Sequence, residues 1–170
     1  FCYFRAENKF PSHVFGGTAR HINNPKICST DMFAYFHYKP SKTNSIELPP
    51  AWQLSPASEE DLLNLKTDYE NRSGGLMLRG LHLLPDQVDT SKLAQSYNRI
   101  GLKRDRHLFA LHHRERLCAL VVVNVADLGL NMSDLTNSVK LFVVHGKHLT
   151  HEIVHMTLDA VSVHLELKDI

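Results

Sequence analysis

The stretch Leu117 to Ala126, which reads LCALVVVNVA, constrains this chain more than any other. Only Asn124 interrupts its apolar character. A strand with one wet face alternates polar and apolar residues, whereas this one does not alternate and is rich in β-branched valine. It is therefore expected at the centre of a sheet, covered on both faces. The 170-residue chain, 43% apolar and 22% charged, is large enough to provide that cover within one real core. Disordered, collagenous and fibrous classes are excluded.

The charge balance narrows the partners. With 19 Lys and Arg against 18 Asp and Glu, the formal charge is +1, so no broad basic surface exists to hold a nucleic-acid backbone. No nucleic-acid partner is expected. Cys2, Cys28 and Cys118 are odd in number and widely spaced, which fits neither a disulfide framework nor a thiolate zinc site and points to a cytoplasmic protein. No apolar window reaches the roughly 18 residues of a membrane span, and no signal-peptide pattern opens the chain, so no membrane partner is expected. The start at Phe1, inside a strand candidate, reads as a piece of a longer polypeptide or a processed product, with parts of the functional site elsewhere.

Composition divides the chain at residues 39–50, a polar linker punctuated by Pro40, Pro49 and Pro50. Residues 1–38 read as strand, helix, strand: Phe1 to Arg5, Pro11 to His21, and Met32 to Tyr38. Residues 51–170 begin with a short strand, Trp52 to Ser55. Ser58 then precedes Glu59, Glu60 and Asp61, a capping box that starts a helix carrying Leu62, Leu65 and Tyr69 and failing near Gly74 and Gly75. An apolar segment runs from Leu76 to Leu84, and Thr90 is placed to cap a third short helix ending at Gly101. From His107 the period shortens. Leu108 to Leu111, the charged turn His113 to Arg116, and Leu117 to Ala126 make a hairpin, followed by a strand from Val139 to His145. Thr150 caps a last helix with Val154, Leu158, Val161 and Leu165 as its inward stripe. The fold class is α/β (α+β): a mixed, mainly antiparallel central sheet flanked by helices.

This order, strand, two helices, three strands in a meander and a helix, resembles the first two thirds of the GNAT acyltransferase superfamily, over about Ala51 to Leu165. The resemblance implies acetyl-CoA or another acyl-CoA as donor and a small-molecule amine as acceptor. It also implies that the donor's diphosphate sits on backbone amides after the fourth strand, where a helix N-terminus offers unpaired N–H groups and the positive dipole end. That loop here is Val144, His145, Gly146, Lys147, His148, Leu149 and Thr150. The family pattern there is Arg or Gln followed by Gly-x-Gly or Gly-x-Ala; this chain has Gly146, with Lys147 supplying charge. Residues 1–38 resemble the family's closing elements, and either complete the same sheet in permuted order or end a preceding copy that packs as an intramolecular partner.

Acyl transfer needs a base for the acceptor amine. Asp127, Asp134 and His145 stand at strand ends or in the adjoining loop and are the candidates, each with an ordinary reading as a turn or surface residue. His151, Glu152 and His155 spell H-E-x-x-H, which on a helix puts two imidazoles on one face as zinc ligands with a glutamate base between them. Against it, His151, His155, Asp159, Ser162 and Glu166 form one polar stripe, and Asp159 lies about 12 Å from His151 at 1.5 Å per residue. Twelve histidines also make accidental motifs more frequent. Zinc hydrolysis is the alternative reading, and a regulatory or interaction domain of a larger protein the third. Arg104, Arg106, Arg114 and Arg116, interleaved with Asp105 and Glu115, read as a solvated edge around the hairpin.

Overall fold

A computed structural model of the chain describes residues 4, 5, 7–34, 38, 39, 47–127 and 138–165. Its sheet has four strands among these residues, β1 (Trp52–Pro56), β2 (Arg104–His113), β3 (Arg116–Ala126) and β4 (Ser138–Val143), adjacent in sequence order and antiparallel throughout. The apolar run is β3, with a neighbour on each edge, and Ala119, Leu120 and Val121 are fully buried. Cutting Leu120 back to alanine at such a position costs about 3 kcal/mol.

Alternation along β2 and β3 sends their side chains into two cores. Leu108, Ala110, Leu120, Val122 and Phe142 meet Leu62, Leu65 and Tyr69 of α3 (Glu59–Ser73) on one face. Phe109, Val121 and Val123 meet Val161 of α6 (His151–His164) on the other, and Leu111 and Ala119 meet Ile153. Each face thus has its own helical cover, as a doubly buried central strand requires. Three short helices, α4 (Leu76–Gly80), a 3₁₀ turn at Pro85–Gln87 and α5 (Ser91–Asn98), link α3 to β2.

The expected caps form in two cases of three. Ser58 and Asp61 close a complete capping box on α3, and the Thr150 hydroxyl accepts from the Ile153 amide of α6. Thr90 does not cap α5; its hydroxyl donates to the Arg106 carbonyl at 2.7 Å, and the Asp89 carboxylate accepts the Ser91 amide instead. The buried side of α6 is also rotated from the expected stripe: Ile153, Thr157, Leu158, Val161 and Ser162 are buried. Thr157 and Ser162 are accommodated because each hydroxyl donates to the carbonyl four residues back, at 2.7 and 2.8 Å.

In the N-terminal segment, α1 (Lys9–Pro11) runs through a π-helical turn, Ser12–Gly16, into α2 (Gly17–Ile22), where a helix over Pro11 to His21 is expected; Asn23 ends it in the left-handed region. Phe4, Arg5, residues 32–34 and Tyr38 take no strand structure, and the remainder of both strand candidates lies outside the described residues. The segment touches both helical layers, α3 and α6. The Pro25 carbonyl sits where a Cβ on Gly74 would stand, and the buried Tyr38 donates a hydrogen bond to Asp159 with its ring 5.8 Å from that of His155.

Candidate functional site

The hairpin sets up the loop that follows β4. Its two turn residues, Arg114 and Glu115, both have positive φ, the geometry of the turn that matches strand twist. Just beyond them the register slips. Leu111 opposes Ala119 but His112 opposes Leu117, so Cys118 is an extra residue in β3. Its carbonyl accepts two successive amides of the segment directly after β4, Val144 at 2.8 Å and His145 at 3.0 Å. The chain thereby turns off the sheet immediately after β4.

A 3₁₀ turn at Gly146–His148 then leads into the cap of α6. The Leu149 amide donates to the Gly146 carbonyl, Thr150 to His148, and Ile153 to the Thr150 hydroxyl. The amides of His151 and Glu152, in the first turn of α6, have no acceptor among the described residues. They carry the positive end of the helix dipole. Gly146 is close against the end of β4: a Cβ there would stand 3.3 Å from Val143 Cγ1.

Side chains fix the loop from both faces. His148 stacks on His113 with centroids 4.8 Å apart, and His113 on Trp52 at 4.7 Å, a ladder from β1 to the loop. Desolvation first, then His148 and Arg114, pushes His113 below the usual imidazole range. Arg72 of α3 donates to the Val143 and Val144 carbonyls at 3.3 and 3.5 Å and is itself 2.6 Å from Asp68. Beside these lies an open cleft of about 530 Å³ bordered by Asn64, Asp68 and Asn71 of α3, the Arg114–Arg116 turn and His145. No described strand pairs with the outer edge of β4.

The candidate bases do not converge. His145 stands at this loop, half-buried, with its amide held by Cys118. Asp127 lies beyond the other end of β3, about 30 Å away at 3.3 Å per residue. There its carboxylate accepts the Lys103 amide at 2.8 Å and its amide donates to the Lys103 carbonyl, which closes the mouth of the β2–β3 pair. Asp134 lies outside the described residues. His151 and His155 are side by side on the exposed face of α6, ring centroids 4.5 Å apart, but the described residues contain no group of three or more His, Cys, Asp or Glu placed to hold one metal ion.

Sequence reasoning did not single out Arg72 or the Trp52, His113, His148 ladder as parts of the loop's support. The contacts join residues far apart in sequence, 72 positions in the case of Arg72 and Val144, and no local pattern reports them. It also grouped four arginines that the structure separates. Arg114 and Arg116 belong to the turn, whereas Arg104 and Arg106 lie at the far end of β2, half-buried. No helix of the described residues is long and apolar enough to cross a membrane. Compared with protein-family models, curated proteins and solved structures, the chain has no significant match to any of them.

Proposed function

We propose that the chain is an acyl-CoA-dependent N-acyltransferase-like domain of GNAT type, with the loop from Val144 to Thr150 as the seat of the donor's diphosphate. The observation that carries the reading is the pair of first-turn amides, His151 and Glu152, which have no acceptor among the described residues, at the head of a helix that follows the loop after β4, whose outer edge pairs with no described strand. An anion placed there satisfies N–H groups that no described residue accepts from and meets the positive dipole end. Lys147, exposed in the same loop, adds a full charge. Gly146 supports the fit, because a Cβ there would stand 3.3 Å from Val143 Cγ1, tighter than ordinary contact, and a side chain would narrow the approach to the backbone.

When bound, an acyl-CoA supplies an activated thioester carbonyl. The chain's part is to hold and orient it along the β4 edge and to accept the acceptor's proton. His145 is the described base candidate at the loop, its backbone held by the hydrogen bond that its N–H donates to the Cys118 carbonyl.

Calorimetric titration with acetyl-CoA tests the reading. Saturable binding that weakens about tenfold or more in Gly146→Val is expected, since both the amide approach and Val143 packing are disturbed. Absence of binding in the folded parent protein overturns it. Turnover with amine acceptors then separates an active transferase from a domain that binds the donor without using it.

A further inference from the structure

The α3 side of the sheet, at the end remote from the loop, holds three cations and, among the described residues, no carboxylate paired with them. Arg106 on β2 and Asn124 on β3 are directly opposed, Asn124 is opposed by Ser138 on β4, and Lys140 follows two residues on, so all four share one face. Arg106 is fixed by donation from Nε to Asn124 Oδ1 at 3.0 Å and from Nη1 to the Leu81 carbonyl at 2.9 Å. Lys140 Nζ donates to Ser138 Oγ at 2.9 Å. Arg104, next on the same face of β2, donates to the Tyr97 hydroxyl and lies 4.9 Å from that ring's centre.

None of the three forms an ion pair among the described residues; the nearest acid along β2, Asp105, is taken by Lys103 at 3.6 Å. All three are half-buried. Burial, with Arg104 beside it, depresses Arg106, and burial, with Arg106 beside it, depresses Lys140. Gathering like charges out of water is unfavourable unless an opposite charge completes them. Every fixed contact uses a neutral acceptor, and the donors left over (Arg106 Nη2, two hydrogens on Lys140, the Nε and Nη2 of Arg104) exceed what one carboxylate accepts. A phosphoryl group, with three oxygens and up to two negative charges, matches that count.

We infer that Arg104, Arg106 and Lys140 form a binding site for the phosphate group of a small phosphorylated molecule. The site stands on its own. Lys140 and Gly146 are six residues apart on and just beyond β4, about 20 Å along the strand, so it does not rest on the acyl-donor reading.

The test is titration of the full chain with inorganic phosphate, by calorimetry in low-salt buffer free of other multivalent anions, with acetate as the carboxylate control. Saturable binding is expected for phosphate and not for acetate, with affinity falling about tenfold or more in Lys140→Gln. Because Arg106 also ties the sheet to Leu81, Lys140→Met is the folding control. Without phosphate it should melt no lower than the parent, since it removes a repelled charge, and phosphate should raise the melting temperature of the parent alone. No saturation at tens of millimolar phosphate overturns the site. So does unchanged affinity in Lys140→Gln, or a phosphate-free Lys140→Met that melts well below the parent, which would make the lysine structural.

Discussion

Asp61 Oδ1 lies 2.8 Å from His112 Nε2, which ties the first turn of α3 to the second strand of the sheet. The other oxygen of the same buried carboxylate accepts the Ser58 amide at 2.9 Å and the Ser58 hydroxyl at 2.7 Å. One side chain therefore closes the helix cap and fastens the helix to the strand. Asp61→Ala leaves those donors without their acceptor in a buried place, and a loss of about 3 kcal/mol is expected in urea unfolding. Asp61→Asn, which keeps the size and one acceptor oxygen, should recover part of that loss. A change below about 1 kcal/mol in the alanine variant would show that the contact does not matter to the fold.

The same capping box shows why this half of the molecule is legible in sequence. Ser58 and Asp61 are three residues apart, and their pairing follows from the chemistry of a helix start alone. β3 is equally legible, because an unbroken apolar run has few places to go. Legibility fails where hydroxyl-bearing residues conceal the period. Ser162 reads as exposed but is buried, because its hydroxyl is satisfied within α6 by the Leu158 carbonyl and asks nothing of solvent. Of the candidate site, the loop is recognisable from Gly146 and the Thr150 cap, whereas the bulge at Cys118 that turns the chain into it depends on pairing across three strands. The Arg106 and Lys140 cluster is invisible for the same reason: only the register brings positions 34 apart together.

Gly74 joins the N-terminal segment to the core through an absence of side chain. It has φ of +77°, and a Cβ built on it would stand 2.2 Å from the Pro25 carbonyl oxygen, a rigid backbone atom. Gly74→Ala therefore combines left-handed strain of about 1 kcal/mol with a clash that only displacement of the Asn24 to Cys28 turn relieves. A stability loss of about 2 kcal/mol or more is expected, with faster proteolysis around Pro25. An alanine variant as stable as the parent, with that turn equally protected, would rule out the contact.

Cys118 and Cys28 should behave differently towards alkylating reagents. Cys118 is 3% exposed, and burial raises its thiol above the ordinary range despite a hydrogen bond to the His113 backbone and the nearby Arg116. Thiolate is the reactive form, so both access and ionisation protect it. Cys28 is partly exposed. Iodoacetamide labelling of the native protein, read peptide by peptide in the mass spectrometer, should modify Cys28 and spare Cys118 until denaturant is added. Comparable labelling of the two under native conditions would contradict the burial of β3 at its bulge.

His107 gives the fold a dependence on pH whose sign is determined. It sits on β2 facing α6; burial is the main force lowering its pKa, His164 and Lys103 act in the same direction, and Asp105 opposes them. The unfolded chain, with a value near 6.5, takes up the proton first, so stability is complete above that value. It declines as pH falls toward the depressed folded value and levels off once both states are protonated. His113, lowered in the same direction, adds to the slope. His107→Gln should flatten, without abolishing, the fall in urea midpoint between about pH 7 and pH 5. An unchanged slope would mean that the folded protein protonates His107 as readily as the unfolded chain does, and that its place against α6 carries no electrostatic cost.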